Sequence, residues 1–194
     1  WTLWVAISDV AHYVTDNSPL DETAIERGTS VYFPSEVIPM LPETLSNGLC
    51  SLNPHVDRLA LAVCLEIAST GRVTKYRFHE VVFQSQQRLT YNQVQEALDA
   101  VSADHHSPEA LATAIQKTGR FSSNAVAQNV ADLYSLYQVL RSAREDRGAL
   151  DFDSVEPKFS FDEKGKITGV VPRERLEAHK LIEECMLAAN VAAA

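Results

Sequence analysis

Three features of the chain predict an α+β (mixed α/β) fold, with a central, mostly antiparallel sheet and packed helices. Two stretches read as β-hairpins, and a third carries a long helical stripe of apolar residues. The elements run strand, helix, hairpin, helices, hairpin, helix. With 194 residues, 45% of them hydrophobic, and only 7 Gly and 8 Pro, the chain is long and apolar enough to bury one domain core.

Taken in order, residues 3–7 (Leu-Trp-Val-Ala-Ile) are wholly apolar and predict a strand buried on both faces, closed by Asp9. After the turn Asn17-Ser18-Pro19, residues 21–27 predict a short helix capped by Ser18 or Asp21, with acids in its first turn and Gly28 as its stop. Residues 31–54 are different. Pro34, Pro39, Pro42 and Pro54 exclude a regular helix or a central strand, yet Val31, Phe33, Val37, Ile38, Leu45 and Leu49 are too apolar for a solvated loop. This segment is expected to be packed over something.

Leu61, Val63, Leu65 and Ile67 alternate with smaller or polar residues, and Ser69-Thr70-Gly71-Arg72 turns the chain into residues 73–78, which predicts a hairpin. Leu89, Val94 and Leu98 begin a helical pattern that a polar connection breaks over residues 102–108. From there the chain reads as mainly helical. Val126, Val130, Leu133, Tyr137 and Leu140 fall at spacings of four and three, ahead of Arg141, Arg144, Arg147 and Gly148, as at a helix C-terminus. Phe159-Ser160-Phe161, the turn Asp162-Glu163-Lys164-Gly165 and residues 167–171 predict a second hairpin. Pro172 is then expected to open a final helix with Glu174 in its first turn.

Composition bounds the function. Seventeen basic against 26 acidic side chains leave a net charge of -9, which argues against a grip on nucleic-acid phosphates. No run approaches the roughly 18 to 20 uncharged apolar residues of a membrane helix, so no membrane role is expected. Cys50, Cys64 and Cys185 have neither disulfide nor zinc spacing and read as buried thiols of a reducing cytoplasm. The chain opens on Trp1 without a basic leader and closes on an uncapped helix-forming run, so both ends read as cut from a longer chain.

Few residues announce chemistry. There is no Gly-x-Ser-x-Gly, no phosphate-cradling glycine loop and no His-Glu-x-x-His. His105-His106 reads as a solvated pair, and His12, His55, His79 and His179 take no role from spacing. Asp151-Phe152-Asp153 reads as an edge strand with Phe152 in the core, or as two acids on one face fit for Mg²⁺. Glu183-Glu184 stand between apolar residues of the final helix, so at least one must face the packed side. A buried carboxylate costs several kcal/mol unless paired, which makes that pair a functional candidate. Tyr32 and Tyr91 read as core residues, or as rings that stack on bases of a single strand.

Three stretches carry a resemblance: residues 3–14 (Leu-Trp-Val-Ala-Ile-Ser-Asp-Val-Ala-His-Tyr-Val), 27–34 (Arg-Gly-Thr-Ser-Val-Tyr-Phe-Pro) and 37–54, which include Ser-Asn-Gly-Leu-Cys-Ser-Leu. Arg88-Leu89-Thr90-Tyr91, Glu145-Asp146-Arg147-Gly148 and residues 179–186 continue it. The chain closely resembles the catalytic domain of the ribonuclease II family, most of all its bacterial ribonuclease R branch. The likeness weakens only across roughly residues 99–125.

That resemblance implies a processive 3′ to 5′ exoribonuclease that threads single-stranded RNA down a channel and releases nucleoside monophosphates. It implies that Tyr32 stacks on bases near the RNA 3′ end and that Phe152 closes the other side of the clamp. Tyr91 and Glu183 match the catalytic-site pair that contacts the terminal ribose and the scissile region, a means of reading the 2′-OH. Residues 1–194 then form part of a ribonuclease II-type catalytic domain. The family's Mg²⁺-holding aspartates lie upstream of the first strand, its Arg motif lies downstream, and its flanking oligonucleotide-binding domains lie outside the chain. The resemblance therefore implies no metal ligand within residues 1–194, and the isolated piece is expected to be inactive, since two-metal hydrolysis needs both ions. The other reading is an acidic interaction domain for a basic protein partner, because the first 57 residues hold eight acids and Arg27 as their only Lys or Arg.

Overall fold

The structure, a computed structural model, describes residues 1–34, 36–100, 108–149, 157–162, 165–172 and 174–194. Their elements are β1 (Thr2–Ser8), α1 (Pro19–Arg27), β2 (Val31–Tyr32), β3 (Val37–Ile38), a π-helical turn Thr44–Leu49, β4 (Asp57–Ile67) and β5 (Val73–Gln84). Then come α2 (Tyr91–Asp99), α3 (Pro108–Lys117), α4 (Asn124–Asp146), β6 (Pro157–Phe161), β7 (Ile167–Pro172) and α5 (Glu177–Ala193). The α+β expectation holds. β1, β4 and β5 form a three-stranded antiparallel sheet in that order, while β2–β3 and β6–β7 are separate antiparallel hairpins.

Register places Leu3 opposite Leu65 and Val5 opposite Val63, so these side chains share one face of the sheet. That face packs on Leu136, Tyr137 and Leu140 of α4 and on Leu181, Cys185 and Ala189 of α5. Trp4 points the other way, is 55% exposed and leans on His79 at 5.5 Å between ring centroids. β1 is therefore an edge strand covered on one face, not the doubly buried strand that its apolar run predicts. The predicted hairpin of residues 61–78 is longer than expected, and its turn presses on α4. Gly71, at φ +76°, approaches so closely that a Cβ there would lie 2.7 Å from that of Ala143.

The 23 residues of α4 serve two cores. Its N-terminal half packs Ala127, Val130 and Ala131 with Ala97 of α2 and Leu111, Ala112 and Ile115 of α3. Its C-terminal half belongs to the sheet core, so α4 fixes α2 and α5 relative to one another. Ser18 caps α1, which starts at Pro19, and Gly28 ends it at φ 69°.

Three expectations need correction. Pro172 does not open the last helix: it pairs with Pro157 at the end of the β6–β7 ladder. α5 starts at Glu177, so the acid in its first turn is Glu177 and not Glu174. Residues 31–54 are packed only in part, because Leu41 and Leu45 are buried while Val31, Phe33, Val37, Ile38 and Leu49 are exposed. Of the three free thiols only Cys185 is fully buried. His105-His106 and Asp151-Phe152-Asp153, Phe152 included, lie outside the described residues.

Candidate nucleic-acid interface

The candidate residues lie on two parts of the fold. The first is the β2–β3 hairpin. Val31 faces Ile38, Tyr32 faces Val37, and the Phe33 N–H closes the turn on the Glu36 carbonyl at 2.8 Å. Its base is braced, since Arg27 Nη1 donates to the Pro39 carbonyl at 2.7 Å and the Met40 N–H donates to Ser30 Oγ at 2.9 Å. The bracing holds out an apolar tip on which Tyr32 is 76% exposed. Tyr32 is thus not a core residue. An exposed patch of aromatic and β-branched side chains on a fixed backbone is a surface for contact with a partner, and an open ring there can stack on a base.

The second surface lies where α2 meets α5. Tyr91 is the first residue of α2, set by a capping box in which Thr90 Oγ1 accepts from the Gln93 N–H at 3.2 Å and Gln93 Oε1 accepts from the Thr90 N–H at 2.9 Å. Gln95 Oε1 accepts from the Ala178 N–H at 3.1 Å and so ties α2 to the start of α5. Across that joint the Tyr91 ring stacks on His179, with centroids 4.1 Å apart and planes 22° from parallel. Glu183 follows His179 by four residues and lies on the same face of α5.

Both oxygens of Glu183 are held. Arg144 Nη1 donates to its Oε1 at 3.3 Å, and Arg175 Nη2 donates to its Oε2 at 2.7 Å. The same Arg144 nitrogen donates at 2.8 Å to Glu184 Oε1, which is the buried acid of the pair, 7% exposed. The hydrogen bond it donates to Glu184 raises the Arg144 pKa further above its ordinary value, with Glu183 adding to the effect. At the start of α5, Tyr137 Oη and Lys180 Nζ donate to Glu177 at 2.6 and 2.9 Å, and Arg141 joins them at 3.2 Å. Burial acts to raise the Glu177 pKa, but these donors outweigh it and hold the carboxyl below its usual range. Burial and the bond to Glu177 push the Tyr137 hydroxyl well above its ordinary value.

The expectation that one acid of Glu183-Glu184 faces the packing is met by Glu184, and its cost is offset by Arg144. Glu183 stays partly exposed, one turn along α5 from the histidine on which Tyr91 stacks. A tyrosine hydroxyl can donate or accept and a carboxylate accepts, so the pair suits a hydroxylated ligand such as a sugar. Sequence reasoning missed His179, Arg144 and Arg175. The spacing of His179 to Glu183 was a usable signal, whereas nothing in the sequence pairs Arg144 with residues 39 and 40 positions away.

Among the described residues no group of three or more His, Cys, Asp or Glu side chains could hold a metal ion, so the described residues do not fit the Mg²⁺ that the resemblance implies. No helix among them is long and apolar enough to cross a membrane.

Comparison with known proteins gives the same family. Ribonuclease R of Vibrio cholerae serotype O1 is 48% identical over 194 residues, all of this chain but 22% of the relative, so the chain spans about a fifth of that protein. The structure of Mycoplasma genitalium RNase R in complex with ribose methylated single-stranded RNA superposes with a TM-score of 0.79 at 30% identity, over 97% of this chain and 27% of that one. The complex of the same enzyme with double-stranded RNA gives 0.81 at 30% identity, over 97% and 31%. The family described as RNB domain matches residues 1–194, and the chain belongs to it.

Proposed function

We propose that this chain is the RNA-holding part of a 3′ to 5′ exoribonuclease of ribonuclease R type, which hydrolyses single-stranded RNA processively to nucleoside monophosphates. The observation that carries the reading is the stack of Tyr91 on His179, one helical turn from Glu183, which links a phenol on α2 to the α5 helix that carries the carboxylate. The likeness to RNase R structures in complex with RNA supports it. In this reading Tyr91 and Glu183 meet the ribose at the RNA 3′ end, where a 2′-OH is the only difference between RNA and DNA. Tyr32 stacks on a base, and Phe152 closes the clamp. Substrate binding, orientation and choice of sugar are the work of these side chains.

The whole protein is read as a cytoplasmic enzyme with flanking oligonucleotide-binding domains and Mg²⁺. The ligands of the Mg²⁺ are expected outside residues 1–194. The acidic-domain alternative draws no support from α1, where Asp21 and Glu22 fill the first turn and Asp21 accepts from the Asn17 N–H at 2.9 Å, a local role.

The test uses end-labelled single-stranded RNA with Mg²⁺. The full-length protein releases mononucleotides from the 3′ end, and the isolated 194 residues release none. Mononucleotide release by the isolated chain at the parent's rate would overturn the division of labour, and a full-length protein that leaves RNA intact would overturn the reading itself.

A further inference from the structure

We propose that His179 is a positioning residue for Tyr91: it sets the plane of the tyrosine ring at the ribose contact and thereby sharpens the choice of ribose over deoxyribose. The inference rests on the reading of Tyr91 and Glu183 given above and adds a residue to it.

A ring can position another only if it is itself fixed. His179 is the third residue of α5, and its Nδ1 accepts from the Leu176 N–H at 3.1 Å, one of the donors that a helix start leaves without an intrahelical partner. That bond fixes the rotation of the imidazole, and an accepting Nδ1 leaves the proton of the neutral ring on Nε2. The helix that carries it is docked independently, by the Ala178 N–H on Gln95 Oε1 and by the packing of Leu181 and Cys185 into the sheet core. The stacking surface presented to Tyr91 is therefore defined before any ligand arrives.

Tyr91 needs such a support. It is 42% exposed at the first position of α2, where the helix holds its backbone but leaves its ring free to turn. With His179 at 4.1 Å and 22°, one face of the phenol is covered and its plane is set. The position of the hydroxyl relative to Glu183 is then referenced to a single helix, because His179 and Glu183 are one turn apart on α5. Glu183 is braced separately by Arg144 and Arg175, so loss of the imidazole loosens the tyrosine and spares the carboxylate. Preorganised groups of this kind act on selectivity because a misplaced hydroxyl loses most where it must meet a particular substrate oxygen.

The experiment uses the full-length protein and two RNA oligonucleotides of one sequence, with and without 2′-deoxy sugars at the two 3′-terminal positions. The readout is the ratio of their kcat/KM values. His179→Ala is expected to lower this ratio about three- to tenfold, the range of one aromatic pair. His179→Phe keeps the stack and holds the ratio within about twofold. His179→Asn offers an acceptor to the Leu176 N–H without a ring; it is expected to behave as Ala does and replaces it if the Ala variant unfolds. A purely structural role lowers both rates together and leaves the ratio unchanged. Tyr91→Ala is the control. If it lowers the ratio while His179→Ala and His179→Asn do not, the positioning role fails and the reading of Tyr91 stands. If Tyr91→Ala leaves the ratio unchanged, the reading of Tyr91 fails and the role of His179 falls with it.

Discussion

Tyr32 and Tyr91 have the same side chain and are kept in place by opposite means. The β2–β3 hairpin is fixed through its backbone, by a two-residue ladder and by Arg27 and Ser30 at its base, so the Tyr32 ring projects almost free. At the α2–α5 joint the side chains themselves are fixed: Tyr91 by a ring, Glu183 by two arginines, Glu184 by burial. An open ring tolerates any base that slides past, whereas a held hydroxyl and carboxylate can reject a wrong sugar. Under the proposed function these are different tasks, and they fall to different elements of the fold.

The largest expected effect comes from removing the held pair. Glu183→Ala in the full-length protein is expected to cut RNA-over-DNA discrimination by about ten- to a hundredfold, since a hydrogen bond to a charged group contributes about 1.5–3 kcal/mol. Tyr32→Ala instead weakens RNA retention by about 1–3 kcal/mol and leaves that discrimination ratio unchanged. The two measurements on both variants sharpen the contrast, and a Tyr32 variant that altered sugar choice would erase it.

Arg144→Met comes next. It leaves the Glu184 carboxylate, which is 9% exposed in its side chain, without its partner. Because Arg144 itself is 24% exposed, the loss is expected at about 2 kcal/mol in urea unfolding, below the range for a fully buried pair. The matching change on the hairpin, Arg27→Met, frees only a partly solvated carbonyl and is expected to cost under about 1 kcal/mol.

The smallest effect is a pH dependence. The Glu177 carboxyl is held below its usual range when folded, so the unfolded chain binds its proton more readily. Its stabilising share is therefore fully present above the ordinary carboxylate pKa and is lost as pH falls through the lower, folded value. Unfolding of Glu177→Gln followed across that acid window should show a shallower loss of stability than the natural sequence. An identical slope would mean that the contacts of Glu177 with Tyr137 and Lys180 do not persist in solution.

Much of this was legible in the residues. The hairpin around Gly71, the stripe on α4 and the capped start of α1 follow from local periodicity, turn chemistry and capping, which act over a few residues. The Glu183-Glu184 pair stood out from its apolar helix, but the roles of Tyr32, Tyr91 and Glu183 rest on resemblance, and spacing alone left the tyrosines between core and surface. The net charge of -9 argued against nucleic acid, yet the family structures include complexes with RNA. Net charge averages over a surface, while a ligand meets only the few side chains at its site. The predicted start of the last helix failed for a similar reason. Pro172 suits a first helical turn, but its pairing with Pro157 depends on the strand opposite.

By itself, then, the sequence determined most of the elements and the family, because helix stripes, turns and long runs of matching residues are written contiguously along the chain. Only the tertiary structure decided which of two adjacent glutamates is buried, that Trp4 faces outward, and that His179, without a role in the linear order, lies flat against Tyr91. Each of these depends on what stands opposite, and α4, shared between two cores, is what brings residues 88 positions apart into contact.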